Sequence, residues 1–197
     1  MSVADCSDQK KLSLVVLAGG QSSRMGTDKS DLIYQDRTFL EIQIEKGKQL
    51  GIEDILVSGY RGSSCGGRIV ADRFAGRGPL GGLEACFRQA SFKRCLVLSV
   101  DTPLVSVSEL QNLIGKDRAG SERATILQHG EKQEPLIGIY DAGLADAMAE
   151  ALENGQGSVF AFLKKTGYGV YHSQGEEFQF QNINRKEDYQ RLLQKLE

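Results

Sequence analysis

The sequence predicts an α/β fold of three layers, a mostly parallel sheet with helices on both faces. Short apolar, β-branched runs alternate along the chain with segments of helical period, and this alternation is the signature of strands joined by crossover helices. The strand-like runs are compact and closed by Gly, Asp or Ser, as buried parallel strands are. Size agrees: 197 residues, 40% of them apolar, bury one sizeable core without needing a second.

A polar tail is expected over residues 1–11 and one domain over residues 12–197. Strands are expected at residues 12–18, 55–58, 68–71 and 95–100, with further strands at 124–128, 136–140 and 168–172. Helices are expected at residues 38–50, 80–90, 106–114, 142–152, 158–165 and 186–196. The first shows the pattern: Phe39, Ile42, Ile44 and Leu50 approach one stripe, leaving Glu41, Glu45, Lys46 and Lys48 for water, and Gly51 then stops the helix.

Composition removes several functions. With 24 Lys and Arg against 26 Asp and Glu, the net charge of -2 gives no electrostatic footprint for nucleic acid. Cys6, Cys65, Cys86 and Cys95 form no CxxC pair, and His129 and His172 lie far from all of them, so a zinc site is not expected. A core of this size needs no disulfide framework, and the thiols are expected to be free and the protein cytoplasmic. The apolar run after Lys10 and Lys11 is too short for an export signal, and no stretch is long enough to span a membrane.

The chemistry concentrates after the first strand, in Leu17-Ala18-Gly19-Gly20-Gln21-Ser22-Ser23-Arg24-Met25-Gly26-Thr27-Asp28-Lys29. Glycines let a backbone approach a phosphate closely, free amides donate to its oxygens, and Arg24 and Lys29 supply positive charge. Two familiar phosphate loops fail on spacing. A Walker A loop needs lysine directly after its last glycine, whereas Thr27 and Asp28 intervene between Gly26 and Lys29. A dinucleotide fingerprint needs GxGxxG opening into a helix, which Gly19-Gly20-Gln21 does not supply.

Two other segments stand at strand ends. Residues 95–100 form a nearly wholly apolar run that closes in Asp101-Thr102-Pro103. Ligands of an open parallel sheet lie beyond the carboxyl ends of its strands, so Asp101 and the first loop should share an edge, where a carboxylate can hold Mg²⁺ against phosphate oxygens. A turn cap is the alternative role for Asp101. Ala71-Asp72-Arg73 through Gly78-Pro79-Leu80-Gly81-Gly82-Leu83 turns into a helix N-terminus, a place suited to anionic or carbonyl groups.

The run from Leu17 to Lys29 resembles molybdenum cofactor guanylyltransferase, the molybdopterin-guanine dinucleotide synthesis protein A family. Sugar-phosphate uridylyl and cytidylyl enzymes open with a looser version of this loop. The resemblance spans about residues 12–195 and implies a Rossmann-like sheet of nucleotidyltransferase type. It further implies nucleotide contacts from Leu17, Ala18, Gly19, Gly20, Lys29, Ser58, Asp72, Gly78, Pro79, Leu80 and Asp101, with Arg24, Lys29 and Asp101 catalytic and Mg²⁺ on Asp101. Asn182 and Asn184 match an Asn-x-Asn before the terminal helix and enter as further site residues, although Asn184 can equally be a helix N-cap. Leu136 departs from the small polar residue that the family tends to place after a proline here, so pterin contacts are left open. His129, His172 and Tyr140 join no motif.

The implied reaction is attack by the terminal phosphate of molybdopterin, or of its molybdenum-loaded form, on the α-phosphorus of GTP, with pyrophosphate leaving. Such a transfer needs positioning and charge neutralisation rather than a protein nucleophile. Gly19-Gly20 favours guanine, since cytidylyl relatives more often place Ala before the second glycine. A cytidylyltransferase on the same pterin, a sugar-phosphate nucleotidyltransferase and a non-catalytic nucleotide-binding module remain as alternatives, and contacts with molybdoenzymes or other cofactor-synthesis proteins are compatible with the resemblance.

Overall fold

A sheet strand buried on both faces must be apolar at consecutive positions, and Leu14-Val15-Val16-Leu17 is. In the computed structural model, which describes residues 11–19 and 28–194, that run is the centre of the molecule. It forms β1 (Leu12–Leu17), flanked by β4 (Asp54–Ser58) and β6 (Arg94–Ser99), both parallel to it. Outside β4 lies β5 (Arg68–Val70); beyond β6 come β8 (Lys132–Asp141), β7 (Ala124–His129) and β9 (Gly169–His172). The sheet order is β5-β4-β1-β6-β8-β7-β9, and β8 alone runs against the others.

Alternate residues of the central strands feed two cores. Leu14 and Val16 pack with Phe39, Ile44, Leu96, Leu98, Leu110 and Leu113 on one face. Val15 and Leu17 pack with Leu80, Leu83, Val97, Met148, Phe162 and Leu163 on the other. The first face carries α1 (Phe39–Gln49), α3 (Val107–Arg118) and the C-terminal α6 (Lys186–Gln194); the second carries α2 (Pro79–Gln89), α4 (Ala145–Glu153) and α5 (Val159–Thr166). This is the three-layer α/β arrangement that the sequence predicts.

Four differences from the expected elements have local causes. Lys46, assigned to water, is buried, because α1 turns Gln43 and Lys46 toward the end of β6. A small hairpin of β2 (Ile33–Tyr34) and β3 (Arg37–Thr38) was not anticipated: its turn residues Gln35 and Asp36 adopt φ of 51° and 62°, which an Asn-Gly pair would have announced. Strand β8 begins four residues before the expected 136, since it pairs with β7 through a tight hairpin. Its register slips between Gly138↔Ile126 and Glu134↔Leu127, and Pro135 sits in the resulting irregularity, where its missing N–H breaks no ladder bond. Finally, the expected helix over 142–152 opens with a 3₁₀ turn, Ala142–Leu144, capped by Asp141.

The tail up to residue 10 and the last residues of the expected terminal helix lie outside the described residues. Cys65, Cys86 and Cys95 are free, and burial pushes the Cys95 thiol up to about 12 and Cys86 higher still, which keeps both protonated. No described helix is long and apolar enough to cross a membrane.

Candidate active site

The registers Leu17↔Ser58 and Leu17↔Ser99 bring β1, β4 and β6 to an end at one level, so the chain leaves all three strands along one edge. Two backbone bonds tie these exits together: Ala18 N–H donates to Ser58 C=O at 2.8 Å, and Val100 N–H donates to Leu17 C=O at 3.1 Å. Leu17 and Ala18 are buried, and these backbone groups are committed to the neighbouring strands, so the two residues form the floor of the edge. Gly19 passes close over Gly59, where a Cβ would stand 2.5 Å from Gly19 N; Gly59 also has φ of 78°. Only glycine fits there without displacing the start of the first loop.

The far end of that loop returns to the same edge. Asp28 caps a 3₁₀ turn, Lys29–Asp31, by accepting from Ser30 N–H at 3.2 Å and Ser30 Oγ at 3.0 Å. The turn delivers the Lys29 ammonium to Asn184 Oδ1 at 2.5 Å and to within 3.9 Å of the Asp101 carboxylate. The 182–184 stretch before the terminal helix is docked on the turn after β6, because Ile183 N–H donates to Asp101 C=O at 2.8 Å. At the start of α6, Asp188 Oδ2 accepts from the backbone N–H groups of Asn184 and Arg185 at 3.2 and 2.9 Å. Asp188 therefore serves these N–H groups, and the Asn184 side chain turns to Lys29 instead.

On the opposite side of β1, Ser58 Oγ donates to Asp72 Oδ1 at 2.6 Å, so the two nucleotide candidates act as one unit. Gly78, with φ of 72°, turns the chain into α2, and Pro79 takes its first helical position. Leu80 points into the core, while Gly82 lets α2 approach so closely that a Cβ would meet Ser58 Oγ at 2.5 Å. The helix N-terminus is thereby pressed against the strand ends. Behind it, fully buried Glu84 accepts from Arg73 at 2.7 Å and from Arg88, and Arg88 continues to Asp146 at 3.0 Å. Arg73 is thus tethered beside Asp72.

Lys29, Asp101 and Asn184 meet, and Ser58, Asp72 and the 78–82 turn line the same sheet edge. Gly20 and Arg24 fall outside the described residues, as does the loop through Thr27. Asn182 is half-buried within the segment that docks on Asp101. Sequence reasoning passed over Gly59, Glu84 and the Gln43–Lys46 pair. A glycine directly after the 55–58 run was a usable sign for the first; a polar residue on the apolar face of a helix was one for the others.

Mg²⁺ keeps several waters and binds through one or two carboxylates together with substrate phosphates. Among the described residues there is no cluster of three or more His, Cys, Asp or Glu able to cage a cation. A carboxylate at the carboxyl edge of a parallel sheet, as Asp101 is, has the hard oxygen donor that a divalent cation takes.

The family model described as the MobA-like NTP transferase domain matches residues 14–167, which include most of β1, the Asp72 turn and Asp101. The chain belongs to that family. It is an enzyme of the nucleotidyltransferase class. A relative from Pelotomaculum thermopropionicum, named probable molybdenum cofactor guanylyltransferase, is 34% identical over 140 residues, 70% of this chain and 67% of its own. Among solved structures, molybdopterin-guanine dinucleotide biosynthesis protein A from Archaeoglobus fulgidus superposes with a TM-score of 0.78 at 22% identity, covering 94% of this chain and 98% of that one. A Mycobacterium tuberculosis protein solved in complex with manganese gives 0.69 at 15% identity, covering 93% and 98%. At these identities the two structures share the fold.

Proposed function

We propose that this nucleotidyltransferase moves GMP from GTP to the terminal phosphate of molybdopterin, with or without its molybdenum, and releases pyrophosphate. The observation that carries this reading is the meeting of Lys29, Asp101 and Asn184 at the carboxyl edge of the sheet, beside the start of the glycine loop. The names of the relatives favour guanine and the pterin over the cytidylyl and sugar-phosphate readings.

The edge supplies what the transfer needs. Lys29 neutralises charge on the transferring phosphates, and Asn184 holds its ammonium in place. Asp101 would hold a divalent cation, Mg²⁺ by its preference for phosphate oxygens, and manganese in the Mycobacterium tuberculosis protein supports the same general use of a divalent metal. When bound, the cation withdraws charge from the phosphates and orients the reacting groups. Asp72, held by Ser58, and the turn from Gly78 to Gly82 flank the place for the base. The acceptor's phosphate oxygen forms the new bond to the α-phosphorus, the α–β bridge breaks, and pyrophosphate carries away the electron pair. Arg24 and the loop amides complete the cradle for the triphosphate.

Pyrophosphate release measured with each of four nucleoside triphosphates, with and without molybdopterin, tests the reading. GTP together with molybdopterin should be the productive pair. Equal release with CTP, or release with a sugar phosphate instead of the pterin, would overturn the substrate assignment. Nucleotide binding with no release under any combination would make the chain a binding module.

A further inference from the structure

Beyond β6 the chain leaves the ladder, and the carbonyls from Ser99 to Pro103 lose their sheet partners. Carbonyls in a buried turn need donors from elsewhere. Ile183 N–H serves Asp101 C=O at 2.8 Å. Thr102 turns its own N–H and Oγ1 to Ser99 C=O at 3.4 and 3.3 Å, and two side chains of α1 serve the carbonyls of Ser99, Thr102 and Pro103. Gln43 Nε2 donates to Ser99 C=O at 2.6 Å and to Thr102 C=O at 3.0 Å, and Lys46 Nζ donates to Pro103 C=O at 2.7 Å. Lys46 also donates to Gln43 Oε1 at 3.0 Å. Since an ammonium only donates, it dictates which end of the Gln43 amide faces the turn.

We propose that Gln43 and Lys46 are positioning residues for Asp101, fixing the 99–103 turn so that its carboxylate is already in place to meet a divalent cation. This rests on the reading of Asp101 as the metal ligand. The pair grips backbone on both sides of Asp101, at 99 and at 102 and 103, leaving the carboxylate as the group that faces Lys29. Packing alone would not select these residues. Burial drives the Lys46 amine down to about 7, a penalty that methionine of similar length would avoid. Outer-shell partners that orient a ligand typically alter metal affinity or activity by about tenfold to a hundredfold when removed.

The test compares Lys46→Met, which keeps length and loses the donor, with Gln43→Glu, which keeps shape but presents oxygen to the carbonyls of Ser99 and Thr102. Mn²⁺ alone is titrated into each protein and free ion is followed by electron paramagnetic resonance; GTP affinity without metal and thermal melting are measured alongside. Mn²⁺ affinity should fall by about tenfold to a hundredfold in both variants, with metal-free GTP affinity unchanged and melting still cooperative. A merely structural role would move melting and leave the metal titration alone. Should Lys46→Met fail to fold, Gln43→Glu decides, since its carboxylate retains Lys46 as an ionic partner. Asp101→Asn separates the two ideas. Loss of Mn²⁺ binding in Asp101→Asn with wild-type binding in the α1 variants overturns the positioning role and keeps the metal site. Wild-type binding in Asp101→Asn overturns the metal site itself, and the positioning role with it.

Discussion

Lys29 is held by an exposed hydrogen bond to Asn184 and a 3.9 Å approach to Asp101, contacts that contribute little to stability in water. Its removal should therefore be felt in chemistry rather than in folding. Lys29→Ala is expected to lower kcat/KM by about tenfold to a thousandfold, as loss of a donor to developing phosphate charge does, while the ligand-free melting temperature stays near wild type. A variant that unfolds yet keeps its activity per folded molecule would make Lys29 structural. Asp101→Asn keeps shape and removes charge, so turnover should fall by roughly 10² or more while metal-free GTP affinity changes far less. Near-normal turnover at millimolar Mg²⁺ would return Asp101 to the role of a turn residue. The sequence nominates Asp101 by its strand-end position and Lys29 as a cation closing a glycine-rich loop. Asn184 reads in the sequence as either a cap or a site residue; in the fold its side chain accepts from Lys29, and Asp188 takes the N–H groups of Asn184 and Arg185.

At the scale of elements, the active edge depends on how closely strand exits and helix ends approach. Gly59→Ala puts a Cβ against the backbone of Gly19 at a left-handed φ, so neither partner can yield by rotating a side chain. We expect a loss of about 1–3 kcal/mol in urea unfolding together with weakened GTP binding, because the first loop must move to accommodate it. Unchanged GTP affinity would show that the crossing of Gly19 and Gly59 does not set the loop. The buried end of α1 gives a pH signature. Lys46 deprotonates near 7 in the folded protein and near 10.5 when unfolded, so between those values unfolding takes up a proton and stability rises with pH. Below about 7 the burial penalty is fully present and constant. The stability of wild type minus that of Lys46→Met should therefore rise across this window, by on the order of 1 kcal/mol per pH unit. A flat difference would mean that the folded protein keeps Lys46 charged throughout. The shifted charge of Lys46 could not be read from α1 as a sequence, where it falls among Glu41, Glu45 and Lys48 and looks like one more solvated charge.

For the whole molecule, ligand binding to the folded state adds stability by mass action, so the melting temperature reports specificity. GTP with Mg²⁺ should raise it more than ATP, CTP or UTP at equal concentration. Equal shifts would remove guanine selectivity while leaving the nucleotide site. What the sequence alone determined is the part governed by local periodicity: the run of buried strands, the helices that alternate with them, two faces of packing, and the motifs at strand ends. These follow from residue type and spacing, since a strand apolar at every position must be covered on both sides. Tertiary structure decided the antiparallel insertion of β8 with Pro135 at its irregularity, the pairing of Ser58 with Asp72, and the convergence of Lys29 on Asn184 across 155 residues of chain. It also turned Gln43 and Lys46 inward, because the carbonyls they serve belong to a turn 56 to 59 residues away in the chain. Hydrogen-bond demand in a buried turn is met by whatever donor the packed helix brings to it, and local sequence marks at most the face such a donor lies on, never the carbonyl it serves.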